Sequence, residues 1–246
     1  MILILHNKYN FDNYAQADEL NIYRSVFEYI DSNMYAIIDG ENALVIDPHE
    51  DDEILKKLAD VEDITILLTH EHPDHISGTY WLQKQFRTKL VCTKYCADYI
   101  SKEKNVRPIL ISFVLEERDR LNGTNLLKKF NSEFVPHTYT ADITFDNKYE
   151  MNWCGHHLEF FKMLGHTKGS CGIILDEKVV FTGDSLMKDL PVITRFPGGN
   201  KKMYISETLP MLENKLNPEM TILPGHGEPF ILKEIMKDGK INVEFR

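Results

Sequence analysis

Cysteine is scarce in this 246-residue sequence, and its four copies form no pattern. Cys92, Cys96, Cys154 and Cys171 include no Cys-x-x-Cys pair and no dense framework, which excludes a disulfide-stapled fold. Long apolar runs are missing as well. The opening MILILHNKYN has only a short apolar run and no basic start, so it reads as an edge strand rather than an export signal. No later stretch approaches a membrane span, and membrane is not an expected partner. Reduced thiols and no export signal are what a cytoplasmic chain would show. Positive charge is in short supply too: 28 Lys and Arg face 38 Asp and Glu, a formal net charge of −10. Such a surface repels phosphate backbones, and the nearest thing to a basic patch is the pair Lys201-Lys202, so no nucleic acid is expected. Gly/Ser linkers, low-complexity tracts and short repeats are also absent. One domain over residues 1–246 is the simplest reading.

What is present suits a soluble globular chain, with 43% hydrophobic and 27% charged residues at a length that buries a substantial core. NIYRSVFEYI, MYAIID and ALVIDP are rich in β-branched and aromatic residues and predict strands, with a tight turn at Asp39-Gly40. DDEILKKLAD, residues 51–60, opens on acids and places Ile54, Leu55 and Leu58 at helical spacing. DITILLT and KLVCT predict strands on either side of a helical HISGTYWLQKQF. Residues from about 95 to 142 are less regular, with breaks at Pro108, Asn122-Gly123 and Pro136. They form a variable insertion that either shapes a substrate pocket or covers the fold as a helix without chemistry. HHLEFFKML, CGIILD, KVVFTGD and MTILP then predict strands, with a hairpin turn at Asp176-Glu177. SETLPMLENKL predicts a short helix interrupted near Pro210, and a small helix and KINVEF close the chain. This alternation points to an α/β layered fold with one sheet in each half.

The stretch LLTHEHPDHISG, residues 67–78, concentrates His70, His72, Asp74 and His75 where an apolar strand ends. Strand C-terminal ends are where α/β sheets place their sites. Residues two apart in extended chain point the same way, so His70 and His72 converge on one ion. Pro73 starts a helix that carries Asp74 and His75 toward a second. A capping aspartate and surface histidines would explain each residue singly. An H-x-H-x-D-H string, however, arises by accident in a chain of this length on the order of once in a thousand sequences. Three more strand ends repeat the design: His166 in MLGHTKGS, Asp184 in VVFTGDSL and His226 in TILPGHGEP. Each has a glycine beside it that permits a sharp bend. His6, His49, His137, His156 and His157 lack this context and read as structural. No Gly-x-Ser-x-Gly elbow suggests a serine nucleophile.

The ordered set His70, His72, Asp74, His75, His166, Asp184 and His226 resembles the metallo-β-lactamase-fold hydrolase superfamily over about residues 20–230. GHTKGS, FTGDSL and PGHGEP are most similar to its glyoxalase II-like branch. The resemblance implies an αββα four-layer sandwich of two mixed β-sheets flanked by helices, with a dinuclear site at one edge. It assigns His70, His72 and His166 to a first metal and Asp74, His75 and His226 to a second, with Asp184 bridging. The implied cofactors are two divalent metal ions, zinc first, with iron or manganese compatible with a donor set that lacks thiolate. Ions about 3.5–4 Å apart lower the pKa of a bridging water and polarise a carbonyl, so the implied reaction is hydrolysis by a metal-bridging hydroxide. Asp184 and Asp74 are its catalytic carboxylates, the first holding the pair and the second orienting the hydroxide or taking up its proton.

Departures narrow the branch. Zinc β-lactamases with a cysteine ligand carry a thiolate at the position of Asp184 and no ligand matching His75. Flavodiiron-type relatives have a carboxylate at the position of His72 and an added flavin domain. Glyoxalase II continues into a helical domain that binds glutathione thioesters, whereas this sequence ends at Arg246 and reads Ile76-Ser77-Gly78 where that signature has two glycines. A small thioester, ester or lactone is therefore the expected substrate. In and just beyond TRFPGGNKK, residues 194–202, Arg195, Lys201 or Lys202, and Tyr204 are candidates to bind it, the cations through an anionic tail. The alternative from another reaction class is a persulfide dioxygenase with a single iron held by two histidines and the aspartate.

Overall fold

The computed structural model describes residues 8–9 and 20–246. The apolar start of the expected edge strand and His6 lie outside the described residues. Among the described residues, strands form a seven-stranded sheet, a six-stranded sheet and a two-stranded ribbon. The first sheet follows chain order. β1 (Lys8–Tyr9), β2 (Ile22–Val26), β3 (Asn33–Asp39) and β4 (Asn42–Ile46) pair antiparallel, and β5 (Asp63–Leu67), β6 (Arg87–Thr93) and β7 (Ile143–Phe145) extend it in parallel. The second comprises β8 (Lys148–Trp153), β9 (His156–Lys162), β10 (Cys171–Leu175), β11 (Val179–Gly183), β12 (Thr221–Pro224) and β13 (Phe230–Ile231). It is antiparallel except where β11 lies beside β12. Each half of the chain thus builds one mixed sheet.

Strand alternation decides the layering, because successive side chains point to opposite faces. Tyr35, Ile37, Leu44 and Ile46 of the first sheet pack against Leu158, Phe160, Ile173 and Phe181 of the second, forming the central core. Their sequence neighbours Met34, Ala36, Ala43 and Val45 face outward. There they meet α1 (Asp52–Lys57), α3 (Thr79–Gln83) and α4 (Lys94–Ile100) through Ile54, Leu82 and Cys96. On the far side, Phe161, Ile174, Val180 and Ile222 pack under Leu212 of the helix Leu209–Lys215. Burying each such side chain contributes about 1.5–3 kcal/mol. The result is an αββα sandwich with two mixed sheets inside.

Several local expectations need correction. The helix expected over HISGTYWLQKQF is two short ones, α2 (Pro73–Ile76) and α3, separated at Gly78. A Cβ there would lie 2.6 Å from the His49 backbone, so the loop after β4 crosses where a continuous helix would run. The irregular segment is mostly ordered helix: α4, α5 (Ile109–Asn122) and α6 (Leu126–Glu133). α5 and α6 close a small core of their own over Phe27 and Tyr29, and α5 also lies beside α2. β8 had no sequence signal because its KYEMNW is an edge strand with one solvated face. Of the closing KINVEF, only Lys240–Ile241 (β15) forms strand, paired with Met236–Lys237 (β14). The turn at Asp176-Glu177 has positive φ at both residues and is closed by the Lys178 N–H donating to Leu175 O at 3.0 Å.

Candidate metal centre

β4, β5, β9, β11 and β12 all end at the same edge of the sandwich, and their C-terminal loops carry the polar residues. His70 and His72 follow β5, and Pro73 occupies the first turn of α2, so that Asp74 and His75 sit at the helix start. His166 follows β9, Asp184 ends the run after β11, and His226 follows β12. His70, His72, His166 and Asp184 offer donor atoms within 4.8 Å of one another, as do Asp74, His75 and His226. All seven residues singled out in the sequence are therefore brought together.

The geometry resolves into two halves. In the first, His72 Nδ1 lies 3.1 Å from both His70 Nε2 and His166 Nε2. Outer hydrogen bonds set the tautomers. His166 Nδ1 is 2.8 Å from the Ile193 carbonyl, which only accepts, so it carries the proton. His70 Nδ1 is 3.0 Å from Thr69 Oγ1, whose own hydrogen goes to Asp47 Oδ2 at 2.5 Å. Both Nε2 lone pairs consequently point inward. In the second half, His75 Nε2 is 3.1 Å from Asp74 Oδ2 and His226 Nε2 is 3.3 Å from the same oxygen. Asp184 lies between the halves: Oδ1 is 3.4 Å from His75 Nε2, and Oδ2 is 3.5 Å from the Nε2 atoms of both His166 and His226.

Burial and charge separate the halves further. Desolvation lowers His70 and His166 and brings His72 down to about 3, so this trio is neutral at pH 7. Burial opposes the charge of Asp74 and Asp184 as well, but His75 and His226 overcome it and hold both carboxyls well below their ordinary range. Reciprocally, burial would lower His75 and His226, and the neighbouring aspartates raise them instead. Asp47 is raised by desolvation despite its bonds from His75 and Thr69, and burial lifts Glu71 to about 7.

Bracing residues carry no motif of their own. Asp47, after β4, accepts from Thr69 N at 2.7 Å and lies 3.0 Å from His75 Nδ1. Its signal is the Asp-Pro that closes the apolar run ALVIDP, which reads only as the end of a strand. Asn33 Nδ2 donates to Pro224 O at 2.9 Å and Gly227 O at 2.8 Å, while its backbone N–H reaches Gly225 O at 2.6 Å. Tyr35 Oη donates to Pro224 O and Arg24 to Gly227 O. The start of β3 thus grips the His226 loop from the other sheet, a contact invisible in sequence. Gly225 lets that loop close, because a Cβ there would lie 2.3 Å from Asp184 Oδ1.

The substrate candidates fare differently. Arg195 is exposed, next to Phe196, whose ring centroid is 6.2 Å from that of His72. Lys201 is also exposed, with Nζ 4.8 Å from the Phe245 ring centroid. Tyr204 corrects the expectation: it is 0% exposed and its Oη donates to Ser185 O at 2.5 Å. Its ring packs on Gly165, leaving no face for a substrate. It is a strut between the His166 and Asp184 loops. His49 is buried, with Nε2 2.9 Å from Ser25 Oγ, and His156 pairs with Asp176 away from the centre.

The donor chemistry fits divalent ions. Tetrahedral Zn–N bonds of about 2.0–2.1 Å put nitrogens roughly 3.3 Å apart, close to the spacing in the first half. His75 Nε2 and Asp184 Oδ1 are buried without a hydrogen-bond partner although each is near opposite charge, as expected of atoms aimed at an ion. No helix among the described residues is long and apolar enough to cross a membrane. The family model described as the metallo-beta-lactamase superfamily matches residues 30–226. No curated protein matches the chain. Among solved structures, BLEG-1 B3 metallo-beta-lactamase is similar at 22% identity and TM-score 0.64, covering 85% of this chain and 93% of that one. ETHE1 from Myxococcus xanthus is similar at 20% identity and TM-score 0.59, covering 84% and 76%. TTHA1623 in a di-iron-bound form gives 21% and 0.58, covering 85% and 94%.

Proposed function

The chain belongs to the metallo-beta-lactamase superfamily, and from that premise we propose that it is a hydrolase using two divalent metal ions on a small thioester, ester or lactone. The observation that carries this reading is Asp184, which reaches His75 through one oxygen and both His166 and His226 through the other. His70, His72 and His166 would hold the first ion, and Asp74, His75 and His226 the second, with Asp184 shared. Zinc suits these nitrogen and oxygen donors best, with iron and manganese next. When bound, such a pair supplies a water of near-neutral pKa and polarises the carbonyl under attack.

The rest falls to the chain's own residues. The Ile193 carbonyl keeps His166 in the tautomer that leaves Nε2 free, and Asp47 would hold the Nδ1 proton of His75 once a metal displaces the one on Nε2. Asp74, held ionised by His75 and His226, would orient the attacking water through its carboxylate. Phe196 lies edge-on beside His72 and offers an apolar wall on that side. Arg195 and Lys201 form the cationic rim for an anionic substrate tail. The GHTKGS, FTGDSL and PGHGEP motifs support the glyoxalase II-like branch, and four free cysteines suit a cytoplasmic setting.

The test is metal content per chain after purification without chelators, followed by a thioester and ester panel. Two ions and turnover of one such class are expected. A single iron with the second half empty after metal addition, together with oxygen uptake on a persulfide, would replace the hydrolase with the dioxygenase.

A further inference from the structure

Glu71 stands between His70 and His72 in sequence, and nothing in the proposed chemistry uses it. It is 2% exposed. Its Oε2 accepts from Thr167 Oγ1 at 2.9 Å, and Thr167 directly follows His166. That hydroxyl in turn receives the Gly169 N–H at 3.2 Å and pairs with Ser170 Oγ at 2.8 Å. A Cβ on Gly169 would lie 2.2 Å from Glu71 Oε2 and 3.1 Å from Cys96 N, so the loop closes on the carboxylate only with glycine there. Thr93 Oγ1 fixes the Gly169 carbonyl at 2.8 Å from the opposite side.

His70 and His72 follow a strand of the first sheet, whereas His166 follows a strand of the second. Their convergence depends on how the two loops meet. A backbone bond from Cys171 N to Thr69 O at 2.8 Å joins the loops next to their strands. The Glu71–Thr167 contact joins them beside the imidazoles themselves.

We infer that Glu71 is a positioning residue for the first half of the centre: its carboxylate ties the His70–His72 segment to the His166 segment and sets the spacing of the three imidazoles. The inference rests on the proposed two-metal reading. It is specific to one half, because the His226 loop is held by Asn33, Tyr35 and Arg24 instead.

Stepwise Co2+ loading of the full-length metal-free protein tests it, read by visible absorption and by hyperfine-shifted imidazole N–H signals. The His166 proton bonded to Ile193 reports the first half, and the His75 proton bonded to Asp47 reports the second. Glu71→Ala is expected to weaken the first half by about ten- to a hundredfold, the range for lost outer contacts to a ligand, with the second half unchanged. Glu71→Gln retains an oxygen that accepts from Thr167 and should restore most of the affinity. Thr167→Val and Gly169→Ala attack the same contact from the other side and should weaken the first half selectively. Native affinity in Glu71→Ala, equal loss in both halves, or a Gln variant no better than Ala would each overturn the inference. A native protein that takes up no metal would instead overturn the hydrolase reading beneath it.

Discussion

Three histidines make one half of the centre, and an aspartate with two histidines makes the other, and the chain treats them differently. The first half is desolvated and neutral: its imidazoles are pushed down by burial and by one another. The second is an ion-pair cluster in which aspartates and histidines hold each other charged. Neutral imidazoles accept a metal without releasing protons, whereas charged ones must release theirs first. The bracing differs in kind as well. A carboxylate–hydroxyl contact joins the loops of the first half, while the His226 loop hangs on amide and phenol donors from β3. On the proposed two-metal reading, ion sites that share one aspartate therefore need not share affinity, pH response or sensitivity to mutation.

Removing the shared residue should erase the contrast and gives the largest effect. Asp184→Ala is expected to empty both halves and lower turnover by roughly a thousandfold or more, about 4 kcal/mol in the barrier, with the circular dichroism spectrum retained. Near-native turnover in that variant would remove the basis for the proposed mechanism.

Acid should separate the halves. His75 and His226 have raised pKa values, so protons compete with metal there up to higher pH, and each displaced proton costs about tenfold in affinity per pH unit below it. The first trio has lowered values, His72 down to about 3, and so takes up protons only at lower pH than the second half. Metal retention during a titration from pH 7.5 to 5.5 should show the second half emptying first. The reverse order would contradict the assignment of charge.

Asn33→Ala should weaken the second half alone, by about tenfold. It also removes one of two donors from each of the Pro224 and Gly227 carbonyls, at about 0.5–1.5 kcal/mol of stability per lost bond. Isothermal titration and urea unfolding measure the two effects, and a first-half loss of the same size would show that the clamp is not specific.

A smaller effect concerns His49, which burial lowers from 6.5 to about 4. Its folded pKa is depressed, so the unfolded chain binds the extra proton between these values. The stability it contributes is present above pH 6.5 and lost as pH falls toward 4, on the order of 3 kcal/mol in total. His49→Gln in the metal-free protein should flatten that part of the stability profile. The smallest effect is expected of His156→Ala, which should leave metal content within error because its partner is Asp176.

Much of the architecture was legible in particular residues. Tyr35 and Ile37 against Met34 and Ala36 already display the two-faced alternation of a sheet covered on both sides. The seven polar residues at strand ends were legible for the same reason: a short apolar run followed by His or Asp and a glycine is a local pattern. Glu71, Asn33 and Tyr204 were not. Glu71 and Asn33 belong to no local pattern, and a tyrosine after a basic loop reads as a substrate contact. Each takes its role from a distant partner: Glu71 from a residue 96 positions away, Asn33 from one 191 away, and Tyr204 from a carbonyl 19 residues away in sequence.

The sequence by itself determined the periodicity that makes two sheets, the punctuation that ends their strands at one edge, and the donor atoms placed there, because all of these are set within a few residues. Only the tertiary structure decided which tautomer each histidine holds, which charges survive burial and which side chains keep the two sheets in register at the centre. Those depend on atoms that the fold alone brings within hydrogen-bonding distance.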